Sequence, residues 1–138
     1  MSTRDAQLEA QKLAYGPMMF QALRAMRELR ILDVLKAKGA EGLSEDELHE
    51  ATGVSVYGLR VLLEAGLVGG VVSLEDERWA LTKVGYVMLV DPVTQVTIDF
   101  VHDVCYRPGV HLLESIREGR PVGLKEFGDW PTVYEALP

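Results

Sequence analysis

The sequence predicts a mainly α-helical fold: a winged helix-turn-helix with a small β-hairpin wing, extended by extra N-terminal and C-terminal helices. Two stretches carry that prediction. The twenty-two residues from Ser44 to Ala65 read as two helices around a tight turn, and Val71 to Thr82 reads as a two-stranded wing. Ser44 opens a capping box, because its hydroxyl can accept from the amide of Glu47 while the Glu47 carboxylate reaches back to the amide of Ser44. Leu48 and Ala51 give this helix one apolar side, and Gly53 stops it. Ser55 caps a second helix in which Val56, Leu59, Leu62 and Leu63 recur at helical spacing. That second helix has the place of a recognition helix.

The flanking elements follow in order. Residues 4–14 are polar around Leu8 and Leu13, which suits a short, partly docked helix. Gly16 and Pro17 interrupt it, and Pro17 fits the first turn of a new helix, where its missing amide costs nothing. From Met18 to Lys38 the apolar face changes sides. Met18, Met19, Ala22, Leu23, Met26 and Leu29 share one side of a helical wheel, and Ile31, Leu32, Val34 and Leu35 share the other. Two readings fit the flip: two helices meeting between Leu29 and Ile31, or one long helix buried on alternating sides, one half in its own core and the other against a second subunit. Thr82 caps a helix from Lys83 to Val90, and Asp91-Pro92 opens the next.

From Val93 to Tyr106 the polar residues Gln95, Asp99, His102, Asp103 and Tyr106 make one narrow stripe, so such a helix has to be buried on most sides. Pro108 is expected to begin a helix over Val110 to Glu118 with Leu112, Leu113 and Ile116 inward, ended by Gly119 and Pro121. Beyond Val122, Gly123, Gly128 and Pro131 alternate with Phe127, Trp130 and Tyr134 as an aromatic-anchored connector. Pro131 would open a last helix, Thr132 to Leu137, with no capping sequence before Pro138. The expected organisation is a winged-helix domain over residues 1–121 and a connector over 122–138 toward a further domain.

Charge argues against the usual work of a winged helix. With 14 basic and 21 acidic residues the net charge is -7, which disfavours nucleic acid and anionic membrane as partners. Residues 1–38 hold seven cations and four anions, a balance of +3, and the remaining hundred hold seven and seventeen, a balance of -10. On the groove-facing elements Arg60 and Arg78 stand against Glu45, Asp46, Glu47, Glu50, Glu64, Glu75, Asp76 and Glu77. A recognition helix has to meet phosphate with nearby Lys or Arg, and these carboxylates oppose it. Cys105 is the single cysteine, so no intrachain disulfide forms. No run approaches the roughly 20 apolar residues of a spanning helix and no leader opens the chain, so a soluble cytoplasmic protein is expected.

Catalytic chemistry is sparse. Gly66, Gly69 and Gly70 follow a helix and precede a strand, the reverse of the order that places phosphate on a helix N-terminus, and read as a helix stop and turn. His102 and Cys105 are too few to hold a metal, and Cys105 reads as a small core residue. Asp99 and His102, three apart on one helix, form the one pair resembling acid–base machinery. A solvated polar stripe is the preferred reading of the pair, since no Ser or Cys nucleophile is placed to be activated by that histidine. His49 and His111 read as surface or boundary residues.

Four segments, AMRELRILDVL (25–35), LSEDELHEATGVSVYGLRVLLEAGLVGG (43–70), RWALTKVGYVML (78–89) and REGRP (117–121), in this order and spacing, resemble the N-terminal dimerisation domain of S-adenosylmethionine-dependent O-methyltransferases. That group includes enzymes acting on plant phenolics, hydroxyindoles and bacterial polyketides. Arg30 stands where the family often has glycine and is expected to straighten the kink near it. The resemblance implies a non-catalytic domain that joins two subunits as a homodimer. It also implies that its helices wall the partner's pocket for a small aromatic or polyketide-like substrate, with Met18, Met19, His102 and Tyr106 as candidate lining. S-adenosylmethionine and the catalytic histidine would belong to a C-terminal Rossmann-like domain that this sequence lacks, so no catalytic, cofactor-binding or metal-binding residue is carried onto it. A separated domain or truncated relative is expected. The alternatives are a winged-helix transcription regulator and a stand-alone dimeric protein binding a small apolar ligand.

Overall fold

The computed structural model of the protein describes residues 1–136 and is mainly helical with one antiparallel hairpin, a winged-helix-like arrangement. The chain divides into two compact units at Asp91/Pro92. The first holds α1 (Thr3–Ala14), α2 (Gly16–Glu28), α3 (Ile31–Lys38), α4 (Glu45–Thr52), α5 (Val56–Val68), β1 (Val72–Glu75), β2 (Arg78–Leu81) and α6 (Lys83–Val90). The second holds α7 (Pro92–Phe100), a π-helical turn (Val101–Cys105), α8 (Tyr106–Gly109), α9 (Leu112–Glu118), a 3-10 segment (Val122–Phe127) and α10 (Val133–Ala136).

Local chemistry builds the helix-turn-helix as the sequence predicts. The Glu47 amide donates to Ser44 Oγ at 3.2 Å while the Ser44 amide donates to Glu47 Oε2 at 2.8 Å, the reciprocal capping box. Gly53 ends α4 in the left-handed region, Ser55 caps α5 through the amide of Gly58, and Thr82 caps α6 through that of Gly85. In the wing Val72 pairs with Leu81 and Glu75 with Arg78, leaving Asp76 and Glu77 as a two-residue turn with φ of 47° and 60°. Leu43 adds an antiparallel bridge to Trp79.

Between α2 and α3 the chain breaks, which settles the two readings of the flipped apolar face in favour of two helices. Arg30 does not straighten the junction as expected. It adopts φ 61°, ψ 19°, the left-handed conformation that glycine would take without strain, and α3 starts directly after it. This turn lets Met26 of α2 and Ile31, Leu32 and Leu35 of α3 enter one core with Leu48, Leu59, Leu63, Val71 and Val72, all 0–1% exposed. Gly66 is likewise not part of the helix stop. It lies buried within α5, where a Cβ would stand 3.0 Å from Met26 Sδ, so its role is close helix approach; Gly69 and Gly70 form the turn. α1 is folded by its own capping box on Ser2 but buries no residue.

The second unit departs further from expectation. The apolar helix expected from Val93 to Tyr106 is present, running without a gap from Pro92 to Gly109 through the π turn, but Val93 and Val96 are 74% and 67% exposed within the single copy. Pro108 does not begin a helix as expected; it lies near the end of the helix that runs on from Pro92, and α9 starts at Leu112. Leu112, Leu113 and Ile116 point out of the unit at 63–74% exposure, not inward. Gly119 closes α9 with φ 64°, as expected. The expected last helix is present as Val133–Ala136, with the Thr132 amide donating to Glu135; its predicted end at Leu137 lies outside the described residues.

Candidate functional site

Two surfaces have the shape of sites. The first is the cleft between the helix-turn-helix and the wing, about 390 Å3, lined by Ser44, Glu45, Asp46, Arg60, Leu74, Glu77 and Trp79. Arg60, the cation of the recognition helix, donates to Glu45 Oε2 at 2.7 Å, and that hydrogen bond and ion pair raise its pKa further. Arg78 donates to the carbonyls of Glu41 and Gly42 and to Glu47 Oε2 at 3.0 Å. The Ser44 amide holds the Glu47 carboxyl below its usual range, partial burial opposes this, and Arg78 adds to the lowering. Both cations are therefore engaged with carboxylates and carbonyls of the same chain, and the surface around them is anionic.

The second surface is an apolar groove of about 590 Å3 within the second unit. Phe100 from α7, Val104 and Cys105 from the π turn, Pro108 and Gly109 from α8 and Leu112 from α9 form one side; Leu124 and Phe127 of the 3-10 segment and Pro131 to Val133 complete it. The fold brings these together because the α9 turn returns the chain: the Val122 amide donates to Ser115 Oγ at 3.1 Å, and His111 Nε2 meets Glu126 Oε1 at 2.7 Å, tying α9 to the 3-10 segment. Gly123 permits the close approach, since a Cβ there would lie 2.6 Å from the Pro108 carbonyl oxygen. π turns frequently mark functional positions, and this one supplies two lining residues.

The sequence candidates are distributed over both units. Met18 and Met19 lie on α2, Met18 63% exposed and Met19 half-buried. His102 is in the π turn and its ring stands 6.3 Å from that of Tyr106, at the start of α8. None of the four lines the apolar groove. Cys105 is half-buried and lines it, and so is not the closed core residue expected. Asp99 lies on α7, ahead of the π turn that carries His102. His49 Nδ1 meets the Val54 carbonyl at 2.8 Å and closes the turn after α4. Among the described residues no group of three or more His, Cys, Asp or Glu could hold a metal ion, and no single helix is long and apolar enough to cross a membrane.

Sequence reasoning missed Phe100, Val104, Leu124 and Phe127 as a common lining. Their signal was present only as an apolar excess before Tyr106 and an aromatic, glycine-rich pattern after Val122.

Similarity to known proteins joins this geometry to a family. No curated protein sequence matches the chain. Among solved structures, the S-adenosylmethionine-dependent methyltransferase SibL in its apo form is 23% identical with a TM-score of 0.81, over 91% of this chain, a likeness of fold. CalO1, a methyltransferase in calicheamicin biosynthesis, is 28% identical with a TM-score of 0.65, over 88% of this chain. Human N-acetylserotonin methyltransferase, in complex with SAM, is 25% identical with a TM-score of 0.64, over 87% of this chain. The chain spans 38%, 36% and 37% of the length of these three proteins. The profile of the Dimerisation2-like domain matches residues 7–79, more than half of the 138 residues and nearly all of the helix-turn-helix core. The chain therefore belongs to the Dimerisation2-like domain family, found here in the fold it shares with part of these methyltransferases.

Proposed function

We propose that this chain is the non-catalytic dimerisation domain of an S-adenosylmethionine-dependent small-molecule O-methyltransferase, and that it forms a homodimer through the helices at 17–38 and 92–118. One observation carries the homodimer: the second unit has almost no core of its own. Val93, Val96, Phe100, Val110, Leu112, Leu113 and Ile116 are 50–77% exposed, whereas Val122 and Gly123 are its buried positions among the described residues. Contiguous apolar surface of this kind marks an interface, and a second identical chain is the commonest partner.

In this reading residues 1–121 dimerise and 122–138 lead toward a catalytic domain. Met18, Met19, His102 and Tyr106 are the candidate lining residues for the pocket of a small aromatic or polyketide-like acceptor. S-adenosylmethionine does not fit the residues present. A dinucleotide-type site needs a parallel strand, a glycine turn and a helix, and the described sheet is an antiparallel hairpin. The cofactor would be held outside this chain, which neither binds it nor transfers methyl groups. Nucleic acid and membrane are not partners in this reading, and the protein works in the cytoplasm.

Light scattering coupled to size exclusion tests the dimer. At tens of micromolar, an order set by the usual affinity of such interfaces, the chain should elute with twice its monomer mass. Leu113→Glu with Ile116→Glu should give a monomer of unchanged helix content, because both side chains are exposed in one copy. A monomeric parent chain at that concentration overturns the reading. Calorimetry showing micromolar affinity for S-adenosylmethionine would overturn the assignment of the cofactor elsewhere.

A further inference from the structure

We propose that Arg24 is the polar contact that sets the register of the homodimer, its guanidinium completed by the Asp103 carboxylate of a second copy. The proposal deepens the homodimer reading and rests on it. It adds a named charge pair to an interface otherwise carried by apolar surface.

Arg24 stands on α2, within the segment assigned to the interface, and its Nε is buried without an acceptor. Among the described residues it is the single buried side-chain nitrogen or oxygen in that condition. A guanidinium is always charged and has five donors, so a buried donor left unanswered is costly. Its own chain offers it little. Glu28, one turn on, lies 4.0 Å from Arg24 Nη2, and the same Oε1 already accepts from Arg27 Nε at 3.2 Å and Nη2 at 2.9 Å. Two guanidiniums thus share one carboxylate, and one positive charge is left over. The Arg24 and Arg27 side chains are 26% and 14% exposed, against 40–65% for Arg60, Arg78 and Arg120, so water answers that charge poorly.

The helices at 92–118 carry the complementary defect. Asp103 lies in the π turn, exposed, and no hydrogen bond or ion pair among the described residues reaches it. Phe100, three residues before it, is 50% exposed, and covering that ring with a second chain strips water from the carboxylate beside it. Of the other carboxylates on the two interface segments, Glu28, Glu114 and Glu118 are held by cations of their own chain and Asp99 is engaged. Asp33 is half-buried beside Arg30 in the hollow at the α2–α3 junction. Pairing Arg24 with Asp103 across the subunit boundary removes both defects at once. In a two-fold dimer the contact occurs twice, and a slipped register leaves both charges unpaired, which gives the apolar surfaces one preferred alignment.

A charge swap on the full chain tests the pair, with the dimer dissociation constant measured by analytical ultracentrifugation and the fold checked by circular dichroism. Arg24→Glu and Asp103→Arg should each weaken the dimer at least about thirtyfold, and the double variant should regain at least about tenfold over either one. Arg24→Lys keeps the charge but loses the planar fork and should also weaken it. Where Arg24→Glu loses helical signal, Arg24→Gln replaces it, and an unchanged dissociation constant for that variant overturns the proposal. Unchanged affinity in both single variants overturns it as well and leaves the homodimer reading standing. Loss without recovery in the double variant, or recovery of Arg24→Glu by Asp33→Arg instead, also overturns the pairing. A monomeric parent chain refutes the homodimer reading itself, and this inference with it.

Discussion

Replacing Arg30 with glycine should stabilise the protein, even though it removes a charged side chain and shortens no loop. Arg30 holds φ 61°, ψ 19° at the α2–α3 junction, its own amide bonded to Arg27 O at 3.0 Å and its carbonyl accepting from Val34 at 3.1 Å, so the conformation is fixed from both sides. A residue with a Cβ held there costs about 1–2 kcal/mol. Glycine relieves that cost but brings about 0.5–1 kcal/mol of extra unfolded-chain entropy. The net gain is about 0.5–1 kcal/mol, and the exposed arginine side chain offsets little of it. For a chain of this size the melting temperature should rise by about 2–4 °C. Thermal unfolding followed by circular dichroism at 222 nm is the assay, with Arg30→Ala beside it. Alanine keeps the Cβ and should bring no gain. Equal stabilisation by alanine and glycine would refute backbone strain and point to the arginine charge; destabilisation by glycine would show that the junction is not strained.

Three further outcomes follow from the same geometry. Duplex DNA should not be shifted at physiological salt, because Arg60 and Arg78 are engaged within the chain; Asp46→Lys with Glu50→Lys should create weak binding that salt abolishes, and a sequence-specific shift by the parent chain would contradict this. Glu47 has a folded pKa lowered chiefly by the Ser44 amide, so its contribution to stability is present above the ordinary carboxylate pKa of 4.5 and lost as pH falls through the lower folded value. Acid unfolding of Glu47→Gln should accordingly show a shallower loss of stability below pH 4.5 than the parent, and identical profiles would remove Glu47 from the account. Gly85→Ala should be severely destabilising, by about 2–4 kcal/mol in urea unfolding, since its Cβ would lie 2.3 Å from the Val71 carbonyl oxygen and 2.5 Å from Leu81 Cδ1; a loss below about 1 kcal/mol would mean that α6 shifts freely.

The sequence by itself determined the elements whose causes are local. Ser44 with Glu47, Ser55 with Gly58 and Thr82 with Gly85 each satisfy a helix end within three residues, and Pro17, Gly53 and Gly119 act on the turn in which they stand. The family resemblance was legible for the same reason, being a matter of the order and spacing of those signals. Tertiary structure alone decided the rest. Arg30 is left-handed because Met26 and Ile31 must both reach the core, a demand that overrides the residue's own preference. Gly66 is a contact with Met26, forty residues away. Arg60 and Arg78 are spent on Glu45 and Glu47, 15 and 31 residues distant, so counting cations could not show whether they were free. Periodicity marked Leu112, Leu113 and Ile116 as one apolar face, but a period states which residues share a face and not what covers it. The groove between α9 and the 3-10 segment exists only after the chain has turned at Gly119, and its charge-free lining is gathered from residues up to 33 positions apart.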